Sequence, residues 1–172
     1  MNESLLEKKT VKTVLNYLQN FDSSISPICL DTTARTAKDA AHSLNVEIGS
    51  IVKSLVFKSL KKNLYYLCLV SGDKFISEKK LSSIVDDEIE KASADQTKNY
   101  TGYSIGGVPP VGHSNSPTQI FIDSNLKRFE KIYAAAGHPY VVFGITFEQI
   151  CIITKGKTID FVQYSDQFLK LI

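Results

Sequence analysis

Arginine is nearly missing from this chain of 172 residues: Arg35 and Arg128 are the only two, and lysine supplies the rest of the positive charge. With a formal net charge of +2, the protein as a whole is no electrostatic coat for DNA, although a lysine-rich face can still follow phosphates locally. Cysteine is scarce too. Cys29, Cys68 and Cys151 lie far apart, odd in number and without CxxC spacing, which argues against a disulfide framework and against a zinc knuckle. Cys68 sits inside an apolar run and reads as a buried small hydrophobe. No stretch approaches the roughly 18 apolar residues of a membrane span, and the opening "MNESLLEKKT" lacks the apolar run of a secretory leader. The expectation is a reduced, cytoplasmic protein with no membrane partner. Common catalytic signatures are absent as well: no GxSxG elbow, no P-loop, no HExxH, no GxGxxG before a helix. The histidines His42, His113 and His138 are dispersed, so a metal site would need the fold to gather them. No metal and no cofactor is expected.

What is present fits one globular domain spanning 1–172, with 43% hydrophobic and 22% charged residues, enough to build a full core. Val11, Val14, Leu15 and Leu18 form a helical stripe within 4–20. "RTAKDAAHSLNV" reads as a second helix, with Thr36 and Asp39 as a capping box and Ala37, Ala40, Ala41 and Leu44 as a small-residue face. "IVKSLVFK", the turn "SLKKN" and "LYYLCLVSG" read as a β-hairpin whose second strand is apolar enough to be covered on both faces. Residues 75–98 read as mainly helical, with Ser77 as a cap. "TQIFID", "KIYAAAG" and "YVVFGI" read as strands, "TFEQICII" as a short helix boxed by Thr146 and Gln149, and "TIDFVQ" as a strand closing the sheet. The sum is an α/β chain of the α+β type. Its sheet is expected to be mixed, mostly antiparallel and barrel-like, with about six strands and with helices packed outside.

Two features carry chemistry. Lys53 stands in an apolar strand, on the face opposite Val52 and Ser54. It is either a solvated outer-face lysine or a cation pointing into a pocket, where it would suit a single phosphate. "SIGGVPPVGH" then packs three glycines, two prolines and a histidine into one loop. Gly106 and Gly107 free the backbone to bring bare N–H groups to a ligand, and Pro109 and Pro110 stiffen it. The result is either a tight structural turn or an oxyanion loop. "AAGHPYVVF" repeats the theme with Gly137 and His138 between two strands.

Three segments in order, "TAKDAAHSLNVEIGSIVKSLVFK", "GYSIGGVPPVGH" and "YAAAGHPYVVFGITFEQI", resemble the YbaK/EbsC-like proteins. These are free-standing relatives of the editing (insertion) domain of bacterial prolyl-tRNA synthetase. The similarity runs from roughly residue 30 to 165. It implies a mixed, barrel-like α/β fold and metal-free hydrolysis of amino acids wrongly attached to tRNA, often tRNA for proline. The family's strand lysine matches Lys53, its glycine-to-proline loop matches Gly106 to Pro110, and its late turn matches Gly137 and His138.

By that resemblance Lys53, Gly106, Gly107, Pro110 and His138 are the expected catalytic residues. Leu55, Val108, Pro109, Gly137 and His113 are the expected substrate contacts, and the alanines 134–136 are further candidates for the pocket wall. The partner is the aminoacylated 3′ end of tRNA, supplied by a prolyl-tRNA synthetase or an elongation factor, and not DNA. Lys58, Lys61, Lys62, Lys79, Lys80, Lys127 and Arg128 are candidates for holding the tRNA body. Two other readings stay open: a binding module of the same fold without hydrolysis, and a metal-dependent hydrolase using His113 and His138.

Overall fold

The computed structural model describes residues 2–164. The N-terminal stripe forms not one helix but two, α1 (Asn2–Leu6) and α2 (Lys9–Phe21), because the chain turns extended at Lys8. Val11, Val14 and Leu18 are fully buried, as their spacing requires. Strand β1 (Pro27–Cys29) follows, then α3 (Ala37–Leu44). The Thr36 hydroxyl caps α3 by accepting from the Asp39 amide, and it donates to the Asp39 carboxylate. The box is thus closed side chain to side chain.

The expected hairpin is β2 (Val52–Ser59) and β3 (Tyr65–Ser71), paired antiparallel from Val52–Ser71 to Lys58–Tyr65. Every residue of β3 is buried. Its side chains alternate between two cores: Tyr65, Leu67 and Leu69 join α2 and the second sheet, while Tyr66, Cys68 and Val70 face Leu81 and Phe161. Helix α4 (Glu78–Val85) is capped by Ser77 as expected. The helical reading of the next residues fails. Asp86 adopts a left-handed conformation (φ 50°) and ends α4, and Ile89–Lys91 become β4, paired on the free edge of β2. An edge with unpaired amides and carbonyls is a ready template, and no local signal announces a strand recruited that way. Helix α5 (Ala94–Thr101) resumes behind a Ser93–Gln96 capping box.

Strand β5 (Gln119–Asp123) pairs parallel with β3, β6 (Ile132–His138) and β7 (Val141–Ile145) form the second hairpin, and α6 (Phe147–Thr154) carries the Thr146–Gln149 box. Strand β8 is Lys157–Ile159 and lies parallel beside β5 at the edge.

The fold is therefore mixed α/β with two sheets, ordered β1-β7-β6 and β4-β2-β3-β5-β8. Among the described residues they do not close into the expected barrel, and there are eight strands rather than six. Among the described residues one parallel bridge, Ile51 to Tyr133, joins them. The three-residue outer strands β4 and β8 pair on one side only, so the larger sheet keeps both its edges.

Candidate active site

The site grows out of the short reach of β4. That strand pairs with β2 only at Phe57–Ser59, extended by the Ala92 amide donating to the Val56 carbonyl. Upstream, from Val52 to Leu55, the outer edge of β2 has no neighbouring strand beyond the bridge at Ile51. A cleft of about 320 Å³ opens there. Its walls are β2 (Lys53, Ser54, Leu55), the start of α3 (Ala37, Ala40), the loop residues Ile105, Gly106 and Val108, and Ala135 and Val142 from the other sheet.

Lys53 lies in this wall, but its ammonium is engaged. It donates to the Lys74 carbonyl and sits 4.8 Å from the centre of the exposed Phe75 ring. Partial burial lowers its pKa, while Asp73 and Asp123 pull it back up. An ammonium has three donors, so the bond to Lys74 leaves capacity for an anion.

The glycine loop approaches from the opposite side. Gly106 has φ +88°, and a β-carbon there would find ordinary contact distances, the nearest 3.6 Å to Pro139. Gly107 is different. A β-carbon would stand 3.0 Å from both Cα and N of His138 and 3.2 Å from the carbonyl carbon of Gly137. The loop therefore rests backbone to backbone on the late hairpin turn, where a bulge between Ala135 and His138 and a φ of +88° at Gly137 bend the strand. The Gly107 amide is spent on the Ser104 carbonyl, 3.0 Å away. The amides of Gly106 and Val108 have no acceptor among the described residues.

The remaining expected site residues divide. Leu55 and Val108 line the cleft with Lys53 and Gly106. Of the three alanines only Ala135 reaches it; Ala134 and Ala136 are core. His138 does not line the cleft. It supports Gly107 through its backbone, its ring accepts from the Tyr140 amide, and burial chiefly lowers its pKa. Pro109 is buried. Pro110 and His113 border a separate cavity of about 530 Å³ together with Tyr17, Lys155 and Lys157. His113 is a strut behind the loop: its Nε2 lies 2.6 Å from the Pro109 carbonyl and its Nδ1 3.3 Å from the Tyr65 hydroxyl. Burial lowers the His113 pKa, so the neutral ring donating through Nε2 is the form that fits.

Among the described residues no three His, Cys, Asp or Glu side chains stand close enough to hold a metal, so the gathering that a metal-dependent reading of His113 and His138 required does not occur. Four candidate RNA-holding cations are already paired: Lys58 with Glu90 (2.8 Å), Lys61 with Glu88 (3.0 Å), Lys80 with Asp160 (3.5 Å) and Arg128 with Asp73 (2.7 Å). Lys62, Lys79 and Lys127 form no salt bridge among the described residues. Sequence reasoning missed Ser54, Ile105 and Thr97 as parts of the cleft wall. Ser54 is the immediate neighbour of Lys53, and that adjacency was its one hint in the sequence.

Chemically, the cleft brings together two loop residues with uncommitted amides, the cationic side chains of Arg35, Lys53 and Lys91, and largely apolar walls. Among the described residues that line it there is no Ser–His or Cys–His pair, so it suits a carbonyl substrate that is already activated. Residues 31–150 match the profile of the aminoacyl-tRNA editing domain. The chain belongs to this family. The editing domain here is 27% identical to the uncharacterized protein YwhH of Bacillus subtilis (strain 168) over 128 residues, which is 74% of this chain and 80% of that one. It is 34% identical over 103 residues to the proline--tRNA ligase of Lactobacillus acidophilus, covering 59% of this chain but only 18% of the ligase. A crystal structure of a candidate trans-editing enzyme for prolyl-tRNA synthetase superposes with a TM-score of 0.83 at 31% identity, over 91% of this chain and 99% of that one. No helix among the described residues is long and apolar enough to cross a membrane.

Proposed function

We propose that this editing domain acts in trans as a metal-independent, cytoplasmic aminoacyl-tRNA deacylase. It cleaves the ester of tRNA, tRNA for proline foremost, charged with a small wrong amino acid such as alanine, cysteine or serine. A prolyl-tRNA synthetase or an elongation factor hands over the substrate. The observation that carries this reading is the meeting of Lys53 with the uncommitted amides of Gly106 and Val108 across one cleft.

In this mechanism the Lys53 ammonium takes the phosphate of the terminal adenosine. The Gly106 and Val108 amides receive the carbonyl oxygen as it becomes an oxyanion. Water adds to the carbonyl carbon, the bond from that carbon to the ribose oxygen breaks, and the ribose hydroxyl leaves with a proton. The ester is activated from the start, so no protein nucleophile is required. Gly107, Pro109, Gly137, His138 and His113 serve from behind, keeping the amides aimed.

The test is a panel of tRNAs charged with alanine, serine, threonine and cysteine, with release of the amino acid followed with and without chelator. Release from at least one member, unaffected by chelator, is expected. No release from any would refute the deacylase and leave a binding module of the same fold. Loss on chelation would restore a metal mechanism.

A further inference from the structure

Ser54 is anomalous within the cleft. Its hydroxyl oxygen is buried and has no hydrogen-bond partner in the protein. Among the described residues the only other buried side-chain atom in that position is the Thr33 hydroxyl, which lies outside the cleft wall. Ala40, Ala92, Ala135, Val56 and Val142 of the same wall present only carbon from their side chains, and the polar Arg35, Thr36, Lys91 and Thr97 that also line it make no hydrogen bond to the Ser54 hydroxyl. The adjacent Lys53 makes none either, because its ammonium is turned to the Lys74 carbonyl and Phe75.

The backbone of Ser54 points the same way. Val56 and Leu60 bond toward the β4 side and Ser59 toward β3. In an antiparallel strand the N–H and C=O of one residue share a direction and alternate along the chain, so those of Ser54 face the edge that β4 no longer covers. A buried hydroxyl without a partner destabilises the protein that keeps it, whereas alanine at that place would not.

We propose that Ser54 is the specificity-determining residue of the cleft and that it exchanges a hydrogen bond with a hydroxyl on the aminoacyl side chain. The esters this protein removes therefore carry seryl or threonyl groups in preference to alanyl ones. A site built to hydrogen-bond a substrate hydroxyl rejects the analogue lacking it, because its own polar group is then left unpaired. The alanine and valine walls accommodate the extra methyl of threonine. The inference rests on the deacylase reading above and deepens it.

The experiment compares kcat/KM of the full chain on one tRNA charged with serine, threonine, alanine or cysteine, for the wild type and Ser54→Ala. The wild type is expected to favour seryl or threonyl over alanyl esters by about tenfold or more, and Ser54→Ala to collapse that ratio toward one. The variant should melt no lower than the wild type, since it loses no protein hydrogen bond. Equal or faster removal of the alanyl or cysteinyl ester by the wild type overturns the proposal. So does a seryl-to-alanyl ratio unchanged in the variant, or a marked fall in its melting temperature. Calorimetry with non-hydrolysable seryl- and alanyl-amido adenosines separates this from failure of the deacylase itself. If no ester is cleaved but the seryl compound binds tighter and Ser54→Ala removes the difference, hydrolysis is refuted and Ser54 stands. Equal binding of the two compounds refutes Ser54.

Discussion

Gly107→Ala tests the contact on which the geometry of the cleft depends. The added carbon would lie 3.0 Å from two backbone atoms of His138. These atoms cannot swing aside as a side-chain tip can. They belong to a bulge that is itself pressed against α2, where a β-carbon on Gly137 would stand 2.6 Å from the Thr10 carbonyl oxygen. The loop must therefore lift. Overpacking of this kind costs about 1–3 kcal/mol, partly offset by about 0.4–1 kcal/mol from the stiffer unfolded chain. Taken at the middle of these ranges the net loss is about 1–2 kcal/mol, and for a chain of this size each kcal/mol lowers the melting temperature by about 2–4 °C. A fall of about 2–8 °C in calorimetry is expected, with the protein still folded at 25 °C. Activity should suffer more than stability, because misplacing a catalytic group by about 1 Å costs on the order of a hundredfold. The amides of Gly106 and Val108 move with the lifted loop, so kcat on the preferred mischarged tRNA should fall by about 10- to 100-fold while KM changes little. Wild-type melting together with wild-type kcat would refute the packing of loop on hairpin and the role built on it.

Lys53→Ala should lower kcat/KM by about 10- to 100-fold, as for the loss of about 1.5–3 kcal/mol from a hydrogen bond to a charged group, with the circular dichroism spectrum unchanged; full activity would remove the lysine from the mechanism. The pH dependence of stability should report His113. Burial lowers its folded pKa below the ordinary 6.5, so below that pH the unfolded chain binds the proton more readily, and stability falls as pH drops toward the folded pKa. The fall in melting temperature between pH 7.5 and 5.5 should be smaller in His113→Gln, whose amide can still donate to the Pro109 carbonyl. His138, shifted in the same direction, supplies part of the remainder, and an identical slope in the variant would refute the strut.

Much of this architecture was legible locally. The β-branched run 51–58, the turn and the apolar run 64–72 gave the central hairpin, and the caps at Thr36, Ser77 and Thr146 are all present. Lys53 and Gly106 were legible because a charge in an apolar strand and paired glycines beside paired prolines violate local rules. Lateral order was not legible. Strand β4 exists because β2 has a free edge, and β5 and β8 run parallel because of connections dozens of residues long. The same limit hid Ser54: its importance lies in what does not surround it, and no sequence window contains that. His113 was placed among substrate contacts because it follows the loop in sequence, whereas in space it stands behind it.

The walls of the cleft come from Ala34 at one end of the sequence to Val142 at the other. Among them α3 and β2 are near neighbours in sequence, whereas the meeting of β2 with the glycine loop and β7 closes much longer loops, which are slower to form. The site thus has only one local wall, residues 34–56. A chain emerging from the ribosome holds an open wall and no closed cleft until β7 has been made, and a fragment that stops short of it keeps β2 with an uncovered edge.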